Sequence, residues 1–177
     1  MVNRSFIRVF DTCASSSCNH ALVRQVEDVA AAIRWVRDNI GAHCPEVLCN
    51  GESQPRGVFL TGHSAGAHLI SLIAADTRYL VAQQVPPEFV RGVCAISGVY
   101  TFAPGPLADQ SRVLNALFRL SYATAAAGPS AAAWADASPV NHVHGAMPPF
   151  LVLSAASDLG LEVDARRCVS ACLSGFP

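Results

Sequence analysis

The run Gly62-His63-Ser64-Ala65-Gly66 has the residue types and spacing of a turn built around a nucleophilic hydroxyl. An apolar segment, Gly57–Thr61 (GVFLT), ends directly before it, and a stretch rich in helix formers, Ala67–Ala75, follows directly after it. A strand that breaks sharply into a helix forces the central serine into a strained backbone conformation and lifts its hydroxyl above the sheet. Glycines are required at 62 and 66 because side chains there would strike the neighbouring strand and helix. The amide of Ala65 then points at a developing oxyanion from the positive end of a helix. Chance alone produces G-x-S-x-G in a chain this long with a probability of about 0.06. The flanking strand and helix, rather than the five letters, therefore carry the assignment. The chemistry implied is attack by Ser64 on an acyl carbonyl.

The elements around this turn can be read from periodicity. Val26, Val29, Ala30, Ile33, Val36 and Ile40 recur at helical spacing and predict a helix over Leu22–Ile40, closed by Gly41 as a C-terminal cap. Residues 41–56, rich in Gly, Pro, Ser and Asn, read as a loop. Apolar strands are expected at 57–61, 92–96 and 150–154, and helices at 67–75, 107–123 and 161–173. The alanine-rich stretch 124–137, interrupted by Gly128 and Pro129, reads as a second short helix or a cap over the site. Apolar strands alternating with helices give an α/β fold, with a mostly parallel sheet covered by helices on both faces. Residues 1–21 read as an irregular N-terminal segment and 22–177 as the core.

GVFLTGHSAGAHLISLIAADTRYL resembles the elbow region of the carboxylesterase-like α/β-hydrolases that include kynurenine formamidase (arylformamidase) and prenylcysteine methylesterases. QVEDVAAAIRWVRDNI resembles the helix just upstream in that family, FVRGVCAISGVYTF the next strand, and SPVNHVHGAMPPFLVLSAASD the strand leading to the acid. The likeness runs over roughly residues 23–175. It implies a partial α/β-hydrolase fold and a serine hydrolase acting on a carboxylic ester or an aryl formamide through an acyl-enzyme. Ser64 would be the nucleophile and the Ala65 amide an oxyanion donor. The likeness implies no cofactor and no metal.

In this fold the triad runs in chain order serine, acid, histidine, and the likeness makes Asp158, just beyond strand 150–154, the acid. A helix N-cap is its other reading. Glu162 and Asp164, in the following helix, are expected to be solvated. No histidine follows Asp158. The side chain of His63 is expected to diverge from the hydroxyl, and that of His68 to pack in the core. His142 and His144 precede strand 150–154 and should lie roughly 15–20 Å away at the opposite edge of the sheet. His43 shares that position; His20 precedes a helix and is the remaining candidate at the C-terminal edge, and no base is assigned.

The family's glycine-rich oxyanion loop has no counterpart in residues 1–22 either, so the expectation is an incomplete hydrolase core with impaired turnover. The alternative is a non-catalytic fragment that binds a ligand or a partner. Unless Ser5–Phe10 (SFIRVF) acts as its neighbour, strand 57–61 should be an exposed edge that invites self-association.

Composition narrows the partners. The 177 residues are 51% apolar and 14% charged, with a net charge of −1. That balance leaves no electrostatic footprint for nucleic acid or an anionic membrane. Apolar runs fall short of the roughly 20 residues a spanning helix needs. The seven cysteines match no zinc framework and fit free thiols in a reducing compartment, the cytoplasm. The expected partner is a small ester or amide. Phe102, Leu117 and Phe118 are candidates to line its acyl pocket, with core packing as their other reading.

Overall fold

The computed structural model describes residues 5–9, 21–48, 52–102, 131–158 and 160–174. Among the described residues, four strands form one parallel sheet in chain order: β1 (Ser5–Val9), β2 (Val58–His63), β3 (Val90–Ile96) and β4 (Phe150–Leu153). Five described helices accompany them: α1 (Ala21–His43), α2 (Ala65–Ala75), α3 (Arg78–Ala82), α4 (Ala131–Asp136) and α5 (Leu161–Ser174). The expected strands and the helices after β2 and β4 are present, with ends that coincide or shift by at most two residues. The expectation for 107–123 lies outside the described residues, as do Leu117 and Phe118.

Helix α2 is the centre of the core. Every residue from Gly66 to Ala75 is buried, which requires cover on both sides. Beneath it lie Leu60 on β2 and Val93 and Ala95 on β3; above it lies the stripe Val26, Ala30 and Ile33 of α1, fully buried at 0% exposure. Phe150 and Val152 of β4 and Ala165 and Cys168 of α5 extend the same cluster. Burying side chains of this size contributes about 1.5–3 kcal/mol each, so the α1–α2–sheet sandwich dominates the local energetics.

The described helices gather on this one face. Strand alternation sends Phe59, Thr61, Cys94 and Ile96 to the other face, where they are half-buried, and Leu151 and Leu153, where they are 54% and 43% exposed. Cover by helices is thus met on one face among the described residues.

Three local expectations are corrected. Gly41 does not cap α1, which continues through it to His43; a side chain at 41 would run into the Ser53 carbonyl and Leu48, so the glycine serves a close approach. Within the segment expected to be irregular, Ser5–Val9 pair in register with Val58–Gly62. Strand β2 is consequently interior, and β1 and β4 are the edge strands among the described residues. A short helix, α3, also forms in the stretch after Ala75, for which no element is expected above.

His68 of α2 packs in the core as expected. Its Nε2 bonds the carbonyl of Ala137 at 2.9 Å, and the ring meets Phe102 edge-on at 4.9 Å between centroids. Burial drives its pKa from 6.5 down to about 4, outweighing the Ala137 carbonyl, which favours the cation. A depressed base stabilises the fold fully above its unfolded pKa and loses that contribution as pH falls. Chemical denaturation should show the wild type losing stability between pH 6.5 and 4, by about 3 kcal/mol at the lower end. His68→Gln, which keeps a donor for Ala137, should lack that slope; equal slopes in the two proteins would assign it to other groups.

Candidate active site

Strand β2 ends at His63 and α2 begins at Ala65, so a single residue, Ser64, makes the turn. Its backbone lies at φ 54°, ψ −120°, one of three non-glycine residues with positive φ among those described. Such a conformation costs on the order of 1–3 kcal/mol. It persists because both sides of the turn are held: the Ser64 amide donates to the Ile96 carbonyl at 2.9 Å, and the Ser64 carbonyl accepts the His68 amide at 3.1 Å. The side chain is exposed at the C-terminal edge of the sheet. Ala65 is the first residue of α2, so its amide has no carbonyl partner within the helix and sits at the positive end of the dipole.

Gly62 shows why the turn needs its glycine. A Cβ there would lie 2.6 Å from both the carbonyl carbon and oxygen of Gly66 and 2.9 Å from the Ala67 nitrogen. All three are backbone atoms that cannot rotate away. The first turn of α2 thus rests directly on the last residues of β2, and this contact sets the angle at which Ser64 is presented.

Asp158 stands two strands away on the same edge. One carboxylate oxygen, Oδ2, accepts from Ser154 Oγ at 3.1 Å and from the Ala155 amide at 3.3 Å. Ser97, Ser154, the Ala155 amide and the field of His63 together hold the carboxyl below the ordinary carboxylate range against the opposing effect of burial. The side chain of Asp158 does not cap α5. Its backbone carbonyl accepts the Leu161 amide at 2.9 Å, and its amide donates to Glu162 Oε2 at 3.2 Å, while the carboxylate turns back to the strand ends.

Asp164 is not solvated, contrary to expectation. It is fully buried, and Oδ2 accepts the amides of Tyr100 and Thr101 at 2.6 and 3.2 Å. Burial pushes its carboxyl up; those amides oppose the shift. It thereby pins the loop leaving β3 to α5. Ser138 does similar work nearby, accepting the Phe102 amide at 2.8 Å and donating to the Trp134 carbonyl at 2.8 Å. Phe102 packs against His68 and Trp134, the core role rather than a pocket wall.

Most histidines with described side chains are engaged elsewhere: His43 with the Asn39 carbonyl, His68 with Ala137, His142 with the Asp136 carbonyl, His144 with the Ala146 amide. His63 is exposed on the site's own edge. His20 lies outside the described residues. Asp76, Asp136 and His142 have metal-ligand spacing, but the Arg78 guanidinium bonds both carboxylates at 2.6 Å and already supplies their counter-charge.

A parallel sheet, an exposed strained serine between strand and helix, and a carboxylate past a later strand define an α/β-hydrolase arrangement. The family described as alpha/beta hydrolase fold matches residues 15–170, and the chain belongs to it. It is 29% identical over 143 residues to the probable carboxylic ester hydrolase LipM of Mycobacterium tuberculosis, across 79% of this chain and 31% of that protein. Esterase LipQ of the same organism is 27% identical over 154 residues, across 84% of this chain and 34% of that protein. Among solved structures, the esterase of Pyrobaculum calidifontis superimposes with a TM-score of 0.64 at 21% identity, covering 88% of this chain and 48% of its own. Thermogutta terrifontis esterase Est2 does so with a TM-score of 0.58 at 21% identity, covering 90% and 52%. The chain thus spans about a third of the curated relatives it matches and about half of these structures.

Gly62→Ala should misplace the elbow. A clash of this depth with fixed backbone costs typically 1–3 kcal/mol, read as a lower thermal midpoint. Ser64→Gly, which suits a positive φ, should raise the midpoint instead. An unchanged midpoint in Gly62→Ala would show that the contact between β2 and α2 is not tight.

Proposed function

We propose that this chain is the nucleophile-bearing part of a serine hydrolase acting on a carboxylic ester, with an aryl formamide as the other substrate class that the sequence resemblance suggests. The observation that carries the reading is Ser64, exposed at φ 54° on the first turn of a buried helix. In the reaction, Ser64 Oγ attacks the acyl carbonyl and its proton passes to a base. The oxyanion is held by the Ala65 amide. The alcohol or amine leaves with that proton, and water then hydrolyses the acyl-enzyme to release the acid and restore the hydroxyl. Asp158 would orient the imidazole and stabilise its cationic form. Adjacent strands lie about 4.8 Å apart, so β2 and β4 stand about 10 Å apart, and side chains at their ends that lean toward each other leave room for one imidazole between them. LipM and LipQ support the ester as substrate class by their names. The free thiols of Cys44, Cys94, Cys168 and Cys172 fit a reducing compartment, the cytoplasm.

No described histidine hydrogen-bonds Ser64, so residues 1–177 by themselves should be slow. Loss of a triad member lowers kcat by about 10⁴-fold or more. A fluorophosphonate probe on the folded chain should modify Ser64 slowly, and Ser64→Ala should abolish the modification, both read by intact mass. Rapid labelling would show that a base is present and overturn the reading of impaired turnover. Complete inertness of a folded chain would favour a non-catalytic binding module.

We also propose that a second copy covers the exposed edge and face of β4. Leu151, Leu153, Val169 and Leu173 are 42–71% exposed and lie on β4 and α5. Leu151 and Leu153 flank the edge on one face, and the groove on the other face is lined by Val169 and Leu173 with both Glu162 and Arg166, so the charges on its rim can pair across a two-fold axis. Sedimentation should show concentration-dependent association that the pair Leu151→Lys and Leu153→Lys abolishes; a monomer at all concentrations would refute it.

A further inference from the structure

The first amides of a helix lack carbonyl partners within it. An aspartate just upstream usually turns its carboxylate onto the amides two or three residues further on. Asp158 stands three residues before Leu161, the first residue of α5. Its carboxylate does not take that place. Oδ2 accepts instead from Ser154 Oγ at 3.1 Å and from the Ala155 amide at 3.3 Å, at the end of β4.

The main chain of Asp158 shows how the two outcomes are separated. Its carbonyl accepts the Leu161 amide at 2.9 Å, and its amide donates to Glu162 Oε2 at 3.2 Å. Gly160, at φ 88°, occupies the third position of that turn, where a left-handed backbone favours glycine. Both main-chain polar groups of Asp158 are therefore committed to the first turn of α5, and its side chain is left to point elsewhere. The carbonyl bond is an ordinary turn bond. The amide bond depends on one side chain, Glu162, which also places a carboxylate at the helix end that Asp158 would otherwise occupy.

We propose that Glu162 is a positioning residue: by accepting the Asp158 amide it holds that residue's backbone against α5, so that the carboxylate is presented at the sheet edge and does not cap the helix. This rests on the reading of Asp158 as the acid. The Ser154 and Ala155 bonds to the carboxylate are exposed, so water competes for them, whereas the Glu162 bond is part-buried. The local loop bonds receive the carboxylate; the bond to Glu162 aims it.

The test follows backbone amide signals by NMR through the titration of Asp158, whose contribution is identified by its loss in Asp158→Asn. In the wild type the Ala155 amide should carry that titration step, and the amides of Leu161 to Val163 should not. Glu162→Met removes the acceptor but keeps the length of the side chain, and it suits a groove lined by Val152, Ala165 and Val169. In this variant the step should be lost at Ala155 and appear in the first turn of α5. Glu162→Gln is equally uncharged but keeps an acceptor, and it should retain the wild-type pattern. A merely structural role predicts a lower thermal midpoint in Glu162→Met with the step still at Ala155. Glu162→Ala should match Glu162→Met and provides the reading if the methionine variant fails to fold. A step that stays at Ala155 in a folded variant lacking the acceptor overturns the proposal, and so does a glutamine variant that behaves like methionine. Fluorophosphonate labelling of wild-type Ser64 tests the hydrolase reading separately, so the two can fail independently.

Discussion

The structure depends on one close contact, the seating of the first turn of α2 on the end of β2. Gly62 lies against the Gly66 carbonyl with no room for a methyl group between them. Given that approach, a single residue must reverse the chain, and no relaxed conformation does so in one step; Ser64 takes the positive φ. The strain, on the order of 1–3 kcal/mol, is small beside what holds the helix down. Leu69, Ile70, Leu72 and Ile73 are at most 5% exposed, and at about 1.5–3 kcal/mol each their burial contributes about 6–12 kcal/mol. The balance leaves the hydroxyl exposed and the backbone rigid. The hydrophobic sandwich holds the strained turn in place.

That economy explains which parts could be read from the letters. The elbow is local: five residues, an apolar run before and helix formers after, all within one stretch of chain. Helix α1 was visible because Val26, Ala30 and Ile33 share one face. What escaped reading depends on segments far apart in the chain. Gly41 looks like a helix stop, yet it is needed because the segment around Ser53 passes close by. Asp164 looks like a solvated helix residue, yet it caps two amides of the loop after β3, more than 60 positions earlier.

The polar residues of the sheet edge share a pattern. Ser64, Ser97 and Ser154 each follow directly on a strand, and each lies at the C-terminal end. The first faces a helix N-terminus, and the last donates to Asp158. The edge is therefore polarised, with positive potential from α2 at one end and a carboxylate at the other. Only the carboxylate is stabilised in its charged form by neighbouring hydroxyls. A cation placed between the two would be drawn to Asp158, and an anion formed at Ser64 would be drawn to the helix. Transfer of a proton away from an attacking serine creates that pair of charges in that order. The field is a property of how the strands end.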